Sequence, residues 1–258
     1  MTLQHSIDTI CRGALVLAQP ARSVGYRFNV DSVILADFTA RALRHPVDLA
    51  LDLGAGCGIV GLLLMRTGMV QRVRLVEIQQ ELAQLARDNT LRNDLSGRAE
   101  VVQADLRQVD LWHREPAQLV VSNPPFFARG EGRVNDQESV ALARHEVACS
   151  LDELVHASSR VLGGGGMLSL IHLYNRRDEV RRAMERHGFN LSRTQRVLPL
   201  PDRPAARILM LGLMGAPASG SHSRGPVVEE LEPLVVETRP GAYSPRLREM
   251  LGDGRAEG

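Results

Sequence analysis

The chain has 258 residues, 44% of them hydrophobic, and a formal net charge of +1: enough apolar content for one large core, and no global field to attract nucleic acid. No apolar run reaches the ~18 residues of a membrane span, and residues 1–12 lack the basic start and apolar centre of a signal peptide, so a soluble cytoplasmic protein is expected. Three scattered cysteines with no C-x-x-C spacing argue against a disulfide framework or a metal site, and all 31 basic residues are Arg, which removes any mechanism that needs a catalytic lysine.

In chain order, residues 1–12 carry no strong pattern. Ala14–Gln19 predicts a strand, Pro20–Gly25 a turn and Tyr26–Val30 a second strand, together a hairpin. Asp31 or Ser32 then caps a helix running to about Leu43. Val47–Leu53 is an apolar strand, Gly54–Gly58 a turn, and Ile59–Arg66 a helix closed by Gly68. Gln71–Ile78 predicts the next strand, Gln80–Asn93 a helix, Glu100–Ala104 a third core strand and Ala117–Ser122 a fourth. Phe127–Val147 is a long polar loop, of a kind that is usually functional or disordered. Arg129, Arg133, Arg144 and His145 give it a basic character suited to RNA phosphates, diluted by Glu131, Asp136, Glu138 and Glu146.

Ser150 opens an amphipathic helix to Leu162, with Glu153 at capping-box spacing. Gly163–Gly166 reads as a turn, Met167–Leu173 as a fifth strand, and Arg176–His187 as an Arg-rich helix whose charges form a solvated face. Phe189–Leu198 and Arg207–Met214 are the last two strands, with Pro199–Pro204 in their loop. Gly215–Pro226 is a flexible linker. Residues 227–258, with a strand at Leu234–Val236 and a helix over Tyr243–Leu251, form an edge extension. The alternation predicts an α/β fold: a doubly wound, parallel, seven-stranded Rossmann-like sheet over residues 46–214, with the hairpin and helix of residues 1–45 packed on it.

Val47–Gly61 organises the rest. Its turn must take φ > 0 and let a ligand approach without a Cβ in the way. The following helix aims free N–H groups and the positive end of its dipole at whatever sits above the turn. Two templates fit. Gly56, Gly58 and Gly61 spell the dinucleotide fingerprint G-x-G-x-x-G. Asp52, Gly54, Gly56 and Gly58 spell D-x-G-x-G-x-G, which resembles the first motif of S-adenosylmethionine (SAM) methyltransferases. Glu77, ending the second core strand, can accept both ribose hydroxyls of the adenosine that NAD and SAM share. Asp105, ending the third, suits either an adenine amino group or ordinary turn chemistry. Asp31 suits either a helix cap alone or a place beside the ligand's carboxylate. Asp52, Glu77 and Asp105 fall at strand C-terminal ends, where the switch-point rule puts ligands.

The fourth strand delivers Asn123-Pro124-Pro125-Phe126 to the same rim. Proline fixes φ and donates no backbone hydrogen bond, so the Pro124 carbonyl is a rigid acceptor beside the Asn123 side-chain carbonyl, with the Phe126 ring next to them. Two fixed acceptors and a stacking face suit a planar –NH2 group, and a dehydrogenase has no evident use for them. Tyr26, Phe28 and Phe127 are candidates for a second stacking face.

This combination resembles the amino-methylating SAM-dependent methyltransferases that carry an N-P-P-[YF] motif, over about Val47–Met214. Further stretches are similar to the bacterial tRNA adenine-N6 methyltransferases that modify position 37 of a valine tRNA: G-Y-R-F-N-V-D-S-V-I-L-A-D-F at 25–38, A-L-A-R-H-E at 141–146, P-D-R-P-A-A-R-I-L-M at 201–210 and A-Y-S-P at 242–245. The resemblance implies SAM as cofactor, held by Asp52, Gly54, Gly56, Glu77 and Asp105, with Asp31, Gly58 and Asn123 at the same site. It further implies tRNA as substrate, its adenine held by Asn123, Pro124, Pro125 and Phe126. A protein glutamine-N5 methyltransferase would use the same grip on an amide. A NAD-binding oxidoreductase built on Gly56, Gly58 and Gly61 is the reading from a different class.

Overall fold

The structure, a computed structural model, describes residues 5–10, 15–20, 30–124, 149–215 and 227–252. Strands β1 (His5–Ile10) and β2 (Leu15–Pro20) pair antiparallel. Helix α1 (Val30–Ala42) leads to β3 (Val47–Leu53), α2 (Ile59–Arg66), β4 (Val70–Glu77) and α3 (Gln80–Arg92). Then come β5 (Ala99–Gln103), the single turn α4 (Val109–Trp112) and β6 (Ala117–Ser122). The second half holds α5 (Leu151–Val161), β7 (Leu162–Leu173), α6 (Arg177–Arg186), β8 (Phe189–Leu198), β9 (Arg207–Met214) and β10 (Glu229–Val235). A small pair, β11 (Glu237–Arg239) and β12 (Ala242–Tyr243), precedes α7 (Pro245–Leu251).

Eight strands form the main sheet in the order β10-β8-β9-β7-β6-β3-β4-β5. The central strands are apolar on both sides because helices cover both faces; Leu49, Ala50, Leu51 and Leu53 of β3 are all buried. One face packs Phe38 of α1 with Leu62 and Leu64 of α2, and the other packs Trp112, Val155 and Met184 of α4, α5 and α6. Each such side chain removed from water contributes roughly 1.5–3 kcal/mol. A capping box opens α5: Ser150 Oγ accepts from the Glu153 backbone N–H while the Glu153 carboxylate accepts from the Ser150 backbone N–H.

The architecture is the α/β sheet that the alternation predicts, with corrections. The sheet is mixed: β9 runs antiparallel to both β7 and β8, whereas β3 to β7 are mutually parallel. Residues 199–206 between β8 and β9 are too short for a parallel crossover, which takes roughly a dozen residues or more. The eighth strand is β10, longer than the expected Leu234–Val236 and parallel to β8. The N-terminal hairpin forms, but β2 pairs with His5–Ile10. Of the expected Tyr26–Val30 strand, Val30 is already helical and the rest lies outside the described residues. Gly163–Gly166 belongs to β7, where the register against β6 shifts, and does not form a separate turn. Among the described residues, no helix is long and apolar enough to cross a membrane.

Candidate active site

The parallel register gathers the rim. Leu53 of β3 is level with Val76 of β4, and Asp52 with Val121 of β6. Gly54, Glu77 and Asn123 therefore stand side by side where three adjacent strands end. Glu77 is level with Gln103 of β5, which puts Asp105 two residues further out.

The turn after β3 is left-handed at Gly54 (φ 74°) and Gly56 (φ 57°), and the space where their Cβ atoms would stand is open. A ligand can therefore come down onto the backbone. Its inward N–H groups are already used, since Gly54 and Ala55 both donate to the Val76 carbonyl. Gly61 serves a different need. A Cβ there would stand 2.5 Å from Leu75 Cδ2 and 2.9 Å from Val73 Cγ2, so only glycine lets α2 lie this close to β4.

Two carboxylates brace the turn from below. Asp52 is 1% exposed and accepts the Gly61 N–H at 2.9 Å. Burial pushes its carboxyl up to about 7; the Gly61 donor opposes the rise and the charge of Glu77 adds to it. Glu77 accepts from the Gly56 N–H at 2.8 Å and from the Gln79 N–H at 2.9 Å, and burial raises its pKa despite these donors. Each of its oxygens keeps a lone pair for a further donor. Asp105 is engaged by the Arg107 backbone N–H and guanidinium, which hold its carboxyl below the usual range.

Asn123 follows β6 directly. Its Nδ2 donates to Ser32 Oγ at 3.0 Å, while its Oδ1 is buried and accepts no hydrogen bond among the described residues. Ser32 and Asp31 come from the first turn of α1, which packs on the sheet face with that turn at the rim. Asp31 pairs with Arg207 at the start of β9 (3.2 Å), and further along α1 the Thr39 and Ser169 hydroxyls meet at 2.7 Å. Of the four residues expected to hold an adenine, Asn123 and Pro124 are described. Pro125 and Phe126, like Tyr26, Phe28, Phe127 and the basic residues of the 127–147 loop, lie outside the described residues.

Comparison with known proteins turns this geometry into a family. The methyltransferase small domain family matches residues 32–195, a span that holds every rim residue from Ser32 to Asn123. The chain belongs to that family. A tRNA1(Val) (adenine(37)-N6)-methyltransferase of Porphyromonas gingivalis is 30% identical over 85% of this chain and 84% of its own length. Among solved structures, a predicted O-methyltransferase from Agrobacterium tumefaciens superposes with a TM-score of 0.63 at 24% identity, covering 87% of this chain and 97% of its own. The 16S rRNA N2 G1207 methyltransferase of T. thermophilus, in complex with AdoMet and guanosine, gives a TM-score of 0.57 at 19% identity, over 82% of this chain and half of its own. These two show the shared fold.

In this methyltransferase two further residues, Asn89 and Arg207, brace the rim. Asn89, in the middle of α3, accepts from the Ala18 N–H and donates to the carbonyls of Ala18 and Cys57. It thereby ties the N-terminal hairpin to the glycine turn. The one signal in the sequence is a polar residue of poor helix propensity inside a helical pattern, where Asn is otherwise unfavourable. Arg207 lies in the 201–210 stretch quoted above, but nothing in the sequence points to its pairing with Asp31, 176 residues away. Cys57, inside the turn, packs against Ala18, Leu82 and Leu85, and burial pushes its thiol up to about 12, so it is inert there.

Proposed function

We propose that this protein transfers a methyl group from SAM to the exocyclic N6 amine of an adenine in tRNA, position 37 of a valine tRNA being the favoured site, and that it works in the cytoplasm. The family and the printed activity of the Porphyromonas relative support this reading. One observation carries it: Asn123 is anchored through its nitrogen, leaving a buried carbonyl oxygen with its acceptor capacity unused. A buried unpaired acceptor costs roughly 1–3 kcal/mol, and an incoming N–H would remove that cost.

The rim fits SAM. The space over Gly54 and Gly56 is open, Glu77 keeps lone pairs for ribose hydroxyls, and Asp52 underlies the turn. Asp31 and Asp105 complete the proposed set, Asp105 sharing its carboxylate with Arg107. SAM bound there supplies an electrophilic methyl group on a sulfonium.

An adenine amine is a poor nucleophile because its lone pair is delocalised into the ring. Asn123 Oδ1 accepts one of its N–H bonds and the Pro124 carbonyl the other. Accepting both favours a pyramidal nitrogen and aims its lone pair at the methyl donor. The acceleration comes from orientation and fixed dipoles. After transfer the spare proton leaves to water, so no side-chain base is required. Phe126 provides the stacking face for the extruded base, a contact worth roughly 1–3 kcal/mol.

The test is incubation with methyl-labelled SAM and either total tRNA or peptide release factors, followed by nucleoside mass spectrometry. N6-methyladenosine in tRNA is expected. Label confined to protein would overturn the RNA reading.

A further inference from the structure

We propose that the groove between α6 and the outer strands β8, β9 and β10 is a docking surface for RNA phosphates. The proposal rests on the tRNA reading above and names the surface through which that substrate would be held outside the reacting base.

The groove has a volume of about 210 Å³, and Arg177 and Arg181 of α6 line it from one side and Arg196 of β8 from the other. Arg177 and Arg181 stand one turn apart on α6, and β8, the next element in the chain, turns back to bring Arg196 opposite them. Arg177 is pre-set: its guanidinium carbon lies 4.6 Å from the centre of the Tyr174 ring, and its Nη1 donates to the Tyr174 carbonyl. The guanidinium face is thus stacked while part of its fork stays open, an arrangement suited to phosphate oxygens. Arg181 meets Glu185 at 2.8 Å with both side chains about half exposed. Such a pair is weak, and a phosphate can displace it. Arg196 is exposed, and its guanidinium makes neither a hydrogen bond nor an ion pair among the described residues. Two acids stand in the same lining, Asp178 beside Arg177 (3.7 Å) and Glu230 opposite Thr194. They leave an excess of one positive charge. The groove therefore suits one or two phosphates of a chain held at several points, and it lacks the charge to hold a free polyphosphate.

Position favours RNA over an acidic peptide. Tyr174 directly follows β7, and β8 is parallel to β7, so the upper end of the groove opens at the rim on which Asn123 stands. Three strand spacings separate β6 from β8, about 14 Å, which a single RNA strand covers in a few nucleotides. Base contacts at the rim choose the adenine, whereas phosphate contacts set the register of the substrate.

The test uses the full chain with R177A, R196A and the double variant. All substitutions are on the surface, and thermal melting and SAM calorimetry check that fold and cofactor site are intact. The measurements are tRNA affinity at several salt concentrations and the kcat and KM for tRNA methylation. The double variant should bind tRNA more weakly by on the order of tenfold, raise KM with kcat preserved, and flatten the plot of log affinity against log salt by ~1–2 in slope. Wild-type and double variant with the same affinity and slope would overturn the groove, even if both methylate tRNA. A variant that loses binding to a release factor and keeps tRNA binding would also overturn it. If the wild type binds tRNA through the groove but methylates none, the groove stands and the activity proposed above fails.

Discussion

Replacing Asp52 by Asn separates the charge of this carboxylate from its shape. An Asn Oδ1 can still accept the Gly61 N–H, so the turn keeps its brace while the buried charge disappears. In the native protein the Asp52 carboxyl titrates at about 7, against 3.8 for the ordinary group. The folded state therefore prefers the protonated acid. Its contribution to stability is complete below the unfolded value and is lost as pH rises through about 7. One pKa unit corresponds to about 1.4 kcal/mol, so the full loss is on the order of 4 kcal/mol, of which about 3 kcal/mol falls between about pH 5 and about pH 8. Urea unfolding of both proteins at those two pH values measures it. The stability of D52N relative to wild type should rise by about 3 kcal/mol from the lower to the higher pH. Glu77, also raised by burial, changes stability in the same direction in both proteins. Parallel stability profiles for the two proteins would refute the claim that Asp52 is held near neutrality by its surroundings.

Four further outcomes follow from the same contacts. N123A should retain SAM affinity in calorimetry and lose roughly 10²–10³-fold in turnover, the scale for removing one oriented polar group from a reacting centre; unchanged turnover would take Asn123 out of the reaction. S32A removes the acceptor that turns Asn123 and should lower kcat by about tenfold, with S32T restoring it and no added effect in an N123A background. G61A forces a methyl to 2.5 Å from Leu75 and 2.9 Å from Val73; overpacking toward the upper end of ~1–3 kcal/mol, less the ~1 kcal/mol gained in helix propensity, gives a net loss of up to ~2 kcal/mol. It should appear as a lower urea midpoint at constant slope. N89A leaves three buried backbone groups unpaired, and hydrogen exchange at residues 15–20 should speed up by more than tenfold.

Local chemistry made much of this protein legible in its sequence. Val47–Leu53, Gly54–Gly58 and Ile59–Arg66 declare strand, turn and helix because apolar runs and glycine spacing are properties of neighbouring residues. The same holds for Ser150 and Glu153, whose capping box spans a single helical turn. N-P-P-F after an apolar strand raises the expectation of an amine grip for a similar reason, since rigidity and acceptor count belong to the residue types themselves.

Tertiary structure alone decided what depends on distance along the chain. The pairing of β2 with β1 and the seating of β10 beside β8 are choices among strands of similar apolarity, whereas the direction of β9 follows from its short connection to β8. Ser32 meets Asn123 across 91 residues and Asp31 meets Arg207 across 176. No periodicity records such contacts. They exist because packing of α1 on α2 and β7 brings its first turn to the rim. The helix at 177–186 shows the difference most directly. Its arginines read as a solvated face in one dimension, and only the neighbouring strand, bringing Arg196 opposite them, makes that face one wall of a groove. A sequence specifies which groups are available, while the close approach of distant segments determines which are buried, which are paired and which are left with an unused bond.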